Sequence, residues 1–263
     1  MTAFSSSVSE VTDGAVNLRG YSLEEVMRHC TFSDGVFLTI VGRLPDAAER
    51  QLLDAMLNSL LDHGFVASTI TAARYIASGN PQLVPAVAGG LLAAGSNTVS
   101  PQHAFDLIDR AASARTDRGL TFEKAAEEMV DECAAEGRRI PGFGHPTHKE
   151  GDFRADVLLE LMESSGLARD GVRQYLEIHR QFVRKTGKTL PINIDGALAA
   201  IGYDLGWTAT QTVAFALMSV LPGVMAHVIE ELQSGRPLRH ITDGRYDGNR
   251  LRALAPLTEE ASR

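Results

Sequence analysis

The sequence predicts an all-α protein. Apolar residues recur at helical spacing over most of the chain. Between those runs stand Pro, Gly, Asn and Asp residues that stop one helix and open the next. No segment alternates apolar and polar residues as a strand ladder does, and no 20–50-residue repeat is present.

Residues 1–18 are polar and Ser-rich and read as a loose arm, and 21–40 is mixed. Gly42-Arg43-Leu44-Pro45-Asp46 stops one segment and opens a helix, in which Leu52, Leu53, Met56, Leu57, Leu60 and Leu61 follow at helical spacing. Asp62-His63-Gly64 ends it, which makes His63 a C-terminal cap facing the helix dipole. The next helix covers about 68–77 and is stopped by Ser78-Gly79-Asn80-Pro81; one over 83–94 is rich in Ala and Gly, small enough for close helix contact. A polar loop, 95–101, leads to helices near 102–115 and 121–136, the second opened by Thr121. Residues 138–146 hold too many breakers for a helix. Helices resume over 152–166 and 169–186, break at Leu190-Pro191-Ile192-Asn193, and continue from Asp195 to about Leu205. Thr208 begins the last, which reaches Leu232 with a kink or joint at Leu221-Pro222-Gly223.

Composition bounds the function. The 263 residues, 44% hydrophobic and 22% charged, suffice for one large or two small domains and exclude a disordered chain. Cys30 and Cys133 alone build neither a disulfide framework nor a four-cysteine zinc site. With 25 basic and 33 acidic residues the net charge is −8, so the chain has no general field for a phosphate backbone, and nucleic acid is not expected as a partner. The N-terminus lacks the basic region and apolar run of a signal peptide, and no stretch reaches the roughly 18 uninterrupted apolar residues of a spanning helix. A cytoplasmic protein without membrane partners is expected.

Two breaks can carry chemistry. Gly142-Phe143-Gly144-His145 offers backbone N–H groups beside an imidazole, with Arg138, Arg139 and Lys149 near it in sequence. His145 could donate to a carbonyl or carboxylate oxygen, or be incidental to a surface turn. Asp195 at a helix mouth could cap that helix, or act as a base on carbon next to a thioester. Arg154 and Arg239 are candidates for a carboxylate clamp, although isolated arginines are usually solvated. His145 and His148 have HxxH spacing, but Pro146 forbids the helix that would align them, so no metal site is expected. Walker A, Rossmann and Gly-x-Ser-x-Gly patterns are absent.

Taken together, Ile140-Pro-Gly-Phe-Gly-His-Pro-Thr-His-Lys-Glu-Gly-Asp-Phe-Arg-Ala155 and Leu190-Pro-Ile-Asn-Ile-Asp-Gly196 resemble the two active-site segments of the citrate synthase superfamily. The likeness is closest to its short citryl-CoA lyase-like members and to the C-terminal module of ATP-citrate lyase. Gly42-Arg-Leu-Pro45, Asp62-His-Gly64, Leu221-Pro-Gly223 and Arg236-Pro-Leu-Arg239 support it. The resemblance implies that Asp195 is the base on the acetyl-CoA methyl group, or returns its proton in cleavage. His145 would bond the oxaloacetate carbonyl or the tertiary hydroxyl of the citryl group. His63, Arg154 and Arg239 would hold the dicarboxylate, with Arg236 as the alternative to Arg239. The backbone of Ile140, Pro141, Gly142, Phe143 and Gly144 would lie against the adenine end of coenzyme A.

One departure matters. Thr98 stands where the family has a His that stabilises the thioester enolate, and the Gly-Gly pair after it is gone; Asn97, Thr98 or His103 would have to supply a donor. Losing one such donor typically costs about 2.7–4 kcal/mol of transition-state stabilisation. The implied fold is all-α, with a large domain from 1–97 and 199–263 and an inserted small domain, 98–198. The implied activity is reversible cleavage of citryl-CoA, or a close 3-hydroxy-3-carboxyacyl-CoA, to acetyl-CoA and oxaloacetate. Alternatives are citrate or methylcitrate synthesis with thioester hydrolysis, and a degenerate acyl-CoA binder. No tightly bound cofactor is expected, since coenzyme A arrives as a thioester substrate, and a homodimer or higher homo-oligomer is.

Overall fold

A computed structural model describes residues 4–253; positions 1–3 of the expected arm and 254–263 of the expected large-domain span lie outside the described residues. Eleven α-helices occur among them: α1 Leu23–His29, α2 Phe32–Val41, α3 Ala47–Ser59, α4 Ser68–Gly79, α5 Leu83–Leu91, α6 Pro101–Arg118, α7 Phe122–Ala135, α8 Phe153–Ser164, α9 Asp170–Thr186, α10 Ile194–Asp204 and α11 Ala209–Ser234. Side-chain caps open several of them. Thr31 with Asp34, Asp46 with Glu49 and Thr208 with Gln211 form reciprocal capping boxes on α2, α3 and α11. Each cap contributes about 1 kcal/mol.

Part of the expected loose arm is ordered differently. β1 Ser9–Thr12, β2 Ala15–Leu18 and β3 Tyr21–Ser22 form a small antiparallel meander in which Val11 pairs with Val16. The signal lay in Asp13-Gly14 between two Val/Thr-containing pairs, a two-residue hairpin turn, and Gly14 takes the left-handed φ of 77°. A second correction concerns α3, which ends at Ser59; His63 therefore caps no helix C-terminus and instead precedes a short 3₁₀ turn, Gly64–Val66. Pro222 does not divide α11, which runs through it.

α10 lies at the centre, packed by α6, α8, α9 and α11. Its Ala197, Leu198, Ala199, Ala200 and Ile201 are all buried, as a helix apolar on every side must be. The main core joins them to Phe37, Leu53, Ile108, Leu158, Tyr175 and Phe215. A smaller cluster unites α4, α5 and α11 through Ile70, Ala73, Ala77, Ala86, Val224 and Val228. The small residues of α5 work as expected: a Cβ on Gly90 would stand 2.7 Å from the Cβ of Ala73. α11 is long and apolar enough to cross a bilayer, yet it packs on α3, α4, α5 and α6.

Candidate active site

The two breaks lie side by side. The amide of Asn193 donates to the carbonyl of Gly142 (2.8 Å), that of Gly144 donates to the carbonyl of Pro191 (2.7 Å), and Phe143 and Ile192 form an antiparallel bridge. Asn193 Nδ2 donates to the carbonyl of Gly144 at 2.7 Å, and the buried Tyr175 hydroxyl donates to the carbonyl of Pro141 at 2.7 Å. The Gly144 N–H is thus committed to the chain and not available to an anion, contrary to the expectation from sequence.

Asp195 does not cap α10. Asn193 does, its side chain accepting from the amide of Gly196, which leaves Asp195 in the first turn, where it lines a cleft. Asp195 Oδ2 accepts from the backbone N–H of Ser100 (3.2 Å) and from its hydroxyl (3.5 Å). Burial pushes its pKa up; Ser100 and the charge of Arg154 oppose the rise without cancelling it. The loop that delivers Ser100 is tight. Gly95 and Thr98 pair their backbones, and Val99 adopts a φ of 54°, a left-handed conformation that is costly for a β-branched residue.

His145 folds over its own turn, so that its Nδ1 accepts from the amides of Thr147 and His148, both at 3.1 Å. A neutral ring that accepts at Nδ1 carries its proton on Nε2. Burial, then the neighbouring His63, Arg154 and His148, lower its pKa to about 4, so this imidazole is a neutral N–H donor at physiological pH. His63 stands edge-on to it with ring centroids 5.0 Å apart, and His63 Nε2 meets His148 Nε2 at 2.9 Å. Pro146 blocks a helix, as expected, but the turn still brings both histidines to His63, with candidate ligand nitrogens of all three within 4.8 Å of one another. The donor set does not suit a metal: ligating histidines donate from their second nitrogen, whereas Nδ1 of His145 faces two N–H groups.

Arg154 is buried, and its Nε and Nη2 both pair with Asp152 at 2.8 Å. Asp152 also accepts from the amide of Ile194 (3.0 Å), tying the start of α8 to the start of α10 beside Asp195. Arg239 departs from the expected clamp. Its guanidinium pairs with the buried Glu231 (2.6 and 2.8 Å), which Arg74 also neutralises, so a buried carboxylate holds it away from the cleft.

The cleft, of about 840 Å³, is lined by His63, Asn97, Thr98, His145, Arg154 and Asp195 among others. On the other side of the 140–146 segment lies a cavity of about 780 Å³, lined by Ile140, Phe143, Phe182 and Leu190, with Arg138, Arg139 and Lys188 among its walls. Gly144, His145 and Pro146 border both.

The family profile described as citrate synthase, C-terminal domain, matches residues 45–241. The chain belongs to the citrate synthase family. A 2-methylcitrate synthase from Mycobacterium tuberculosis is 26% identical over 221 residues, covering 81% of this chain and 52% of that protein. This family member therefore spans about half the length of that relative. Among solved structures, a citryl-CoA lyase from Hydrogenobacter thermophilus matches with a TM-score of 0.88 and 28% identity, over 97% of this chain and 98% of the other. ATP citrate lyase from Methanothrix soehngenii, in complex with citrate and coenzyme A, shares the fold: TM-score 0.79, 20% identity, 95% of this chain and 42% of that one.

Four residues of this citrate synthase family member escape sequence reasoning. Ser100 and Tyr175 act through contacts between distant elements, which no local pattern announces. Asp152 precedes an apolar helix start and could be read as a cap, but not as the partner of Ile194. His148 was visible only as the second member of HxxH.

Proposed function

We propose that this chain reversibly cleaves citryl-CoA, or a close 3-hydroxy-3-carboxyacyl-CoA, to acetyl-CoA and oxaloacetate. The observation that carries the reading is that Asp195, a carboxylate with a raised pKa, and His145, a neutral imidazole with its proton on Nε2, line one cleft. In the condensing direction Asp195 takes a proton from the acetyl methyl group. The resulting carbon attacks the oxo-acid carbonyl, whose oxygen gathers negative charge as it accepts from His145 Nε2–H and then takes that proton to become the hydroxyl, solvent restoring the proton to the imidazole. Cleavage is the same path in reverse, with Asp195 returning the proton to carbon. His63 supplies a donor for the dicarboxylate, and Arg154, whose Nε and Nη2 are held by Asp152, supplies Nη1. Arg239 would join them only by exchanging Glu231 for substrate.

The second cavity suits the nucleotide end of coenzyme A. Its apolar wall of Ile140, Phe143 and Leu190 fits an adenine, its cations fit phosphates, and the shared border at His145 lets one long thioester occupy both spaces. On this reading coenzyme A is a substrate and no cofactor is tightly bound. The cleft opens between lobes formed by 98–198 and by the flanking residues. The enzyme works in the cytoplasm, with its thiols free, as a homodimer or larger homo-oligomer. Thr98, in place of an enolate donor, favours slow chemistry; it is also the one observation favouring a binder without turnover.

The test is release of oxaloacetate from citryl-CoA by the purified chain, followed with a coupled NADH-dependent reductase. Turnover that Asp195→Asn abolishes, with coenzyme A affinity retained, supports the lyase. Binding of coenzyme A and oxaloacetate without turnover in either direction rejects it, and free citrate formed from acetyl-CoA would favour the synthase alternative.

A further inference from the structure

We propose that His148 is a positioning residue that sets the proton pattern of both cleft imidazoles, its ring acting on His63 and its backbone amide on His145. The tautomer that His63 adopts and its effect on KM rest on the lyase reading; the sharing of one proton between the two rings does not. His148 is half-buried and is not among the cleft-lining residues, whereas His63 and His145 are. Its ring is held on three sides: tilted on His145 with centroids 4.6 Å apart, edge-on to His63 at 5.1 Å, and edge-on to Phe153, the first residue of α8, at 5.8 Å.

The contact of 2.9 Å between the two Nε2 atoms decides the chemistry. Two bare lone pairs repel at that distance, and so do two N–H groups, so one ring donates and the other accepts. If His63 donates, its Nδ1 is bare and repels a carboxylate in the cleft. If His148 donates, His63 keeps its proton on Nδ1 and offers that N–H to the substrate. An anionic oxo acid selects the second arrangement. The same residue's amide, with that of Thr147, holds His145 Nδ1 as an acceptor and so keeps the proton on Nε2. One residue behind the cleft thereby makes two cleft rings present N–H groups.

The full chain and its His148→Leu and His148→Gln variants distinguish this from simple packing. In the wild type with oxaloacetate bound, nitrogen NMR of the imidazoles is expected to show protons on Nδ1 of His63 and on Nε2 of His148 and His145. His148→Leu should leave His145 unchanged, because the amide remains, and should release His63 into a mixture of tautomers. It should raise the KM for citryl-CoA about tenfold, the scale of a weakened hydrogen bond to a charged group, with kcat within about threefold and the melting temperature nearly unchanged. Gln places an amide N–H near the lost Nε2 and should restore both the His63 tautomer and the KM. An unaltered His63 tautomer in His148→Leu overturns the proposal, as does failure of Gln to rescue a loss. Activity that is abolished by a chelator and restored by zinc would overturn it in favour of a metal site. If the wild type shows the proton pattern without cleaving citryl-CoA, the lyase reading fails while the positioning by His148 stands.

Discussion

Gly142 and Gly196 meet with no room for a side chain on either: a Cβ on Gly142 would stand 2.6 Å from the Cα of Gly196 and 2.1 Å from the Tyr175 hydroxyl. Gly142 also has a φ of 79°. This contact lets the segment before His145 lie flat against the start of α10, and so brings the imidazole and Asp195 to one cleft although 50 residues separate them in the chain. Gly142→Ala is expected to be strongly destabilising. The left-handed backbone costs about 1–2 kcal/mol for a non-glycine residue, and overpacking adds roughly 1–3 kcal/mol. Urea denaturation measures the loss, and a wild-type midpoint would show that the segment yields easily.

The raised pKa of Asp195 predicts both an activity limb and a stability change. As a base it must be ionised, so kcat/KM for condensation should fall with decreasing pH through a pKa above the ordinary 3.8 of an Asp. Removing the hydroxyl that favours the charged form, in Ser100→Ala, should move that limb further up. The linkage has a definite sign. The folded state holds its proton to higher pH than the unfolded chain, so the stabilisation is full below the unfolded pKa and is lost as pH rises through the folded one. Asp195→Asn should therefore be inactive and melt at a higher temperature than wild type at pH 7, with the gap closing as the pH falls towards 4. Equal melting temperatures at pH 7 would contradict the raised pKa.

Arg154 and Asp152 are expected to fail singly and to tolerate joint replacement. Removing one partner of a buried ion pair costs about 3–5 kcal/mol, because the other charge stays behind without compensation. Asp152→Ala should lose about that much in chemical denaturation, and the double variant Asp152→Leu/Arg154→Met should recover much of it while remaining inactive. Burial alone would raise the pKa of Asp152, but the bonds from Arg154 and the amide of Ile194 outweigh it, and the net shift is downward. Stability from this group is present above the ordinary carboxylate pKa and is lost as pH falls through the lowered one, so the wild-type pair should hold until the pH is below about 4. A single variant at wild-type stability would refute the pairing.

Helix positions were legible in sequence because caps and breakers are local. Asp46, Thr121 and Thr208 open helices where their side chains predict it, and Asn80 ends α4. The hairpin at Asp13-Gly14 was missed because its strands are only four residues each and fully or partly exposed, so they carry no apolar alternation. The cleft was legible in part. Resemblance and breakers together placed His63, His145, Arg154 and Asp195, which line one cavity. Arg239 was not resolvable in this way: its ion pair with Glu231 depends on burial of that carboxylate, which the sequence does not display. Metal-ligand spacing rules also failed to foresee the meeting of His63 with His148, since it is made by a turn and by a residue 85 positions away.

The cations around the second cavity should differ in their effect on coenzyme A binding. Arg138 pairs with Glu136, whereas among the described residues no such pair forms with Arg139 or Lys188. A guanidinium already neutralised by a carboxylate attracts a phosphate less, so Arg139→Ala and Lys188→Ala should each weaken coenzyme A binding more than Arg138→Ala does. For solvent-exposed charges the effect is about 1 kcal/mol, or roughly fivefold in Kd at low ionic strength, and added salt should weaken it because exposed charge pairs are screened. Binding of oxaloacetate, which the proposed reading assigns to the cleft on the other side of His145, should not change. Titration calorimetry with each ligand at two salt concentrations measures all of this. Equal losses for the three variants, or losses that added salt does not weaken, would place the phosphates elsewhere and detach this cavity from the thioester path.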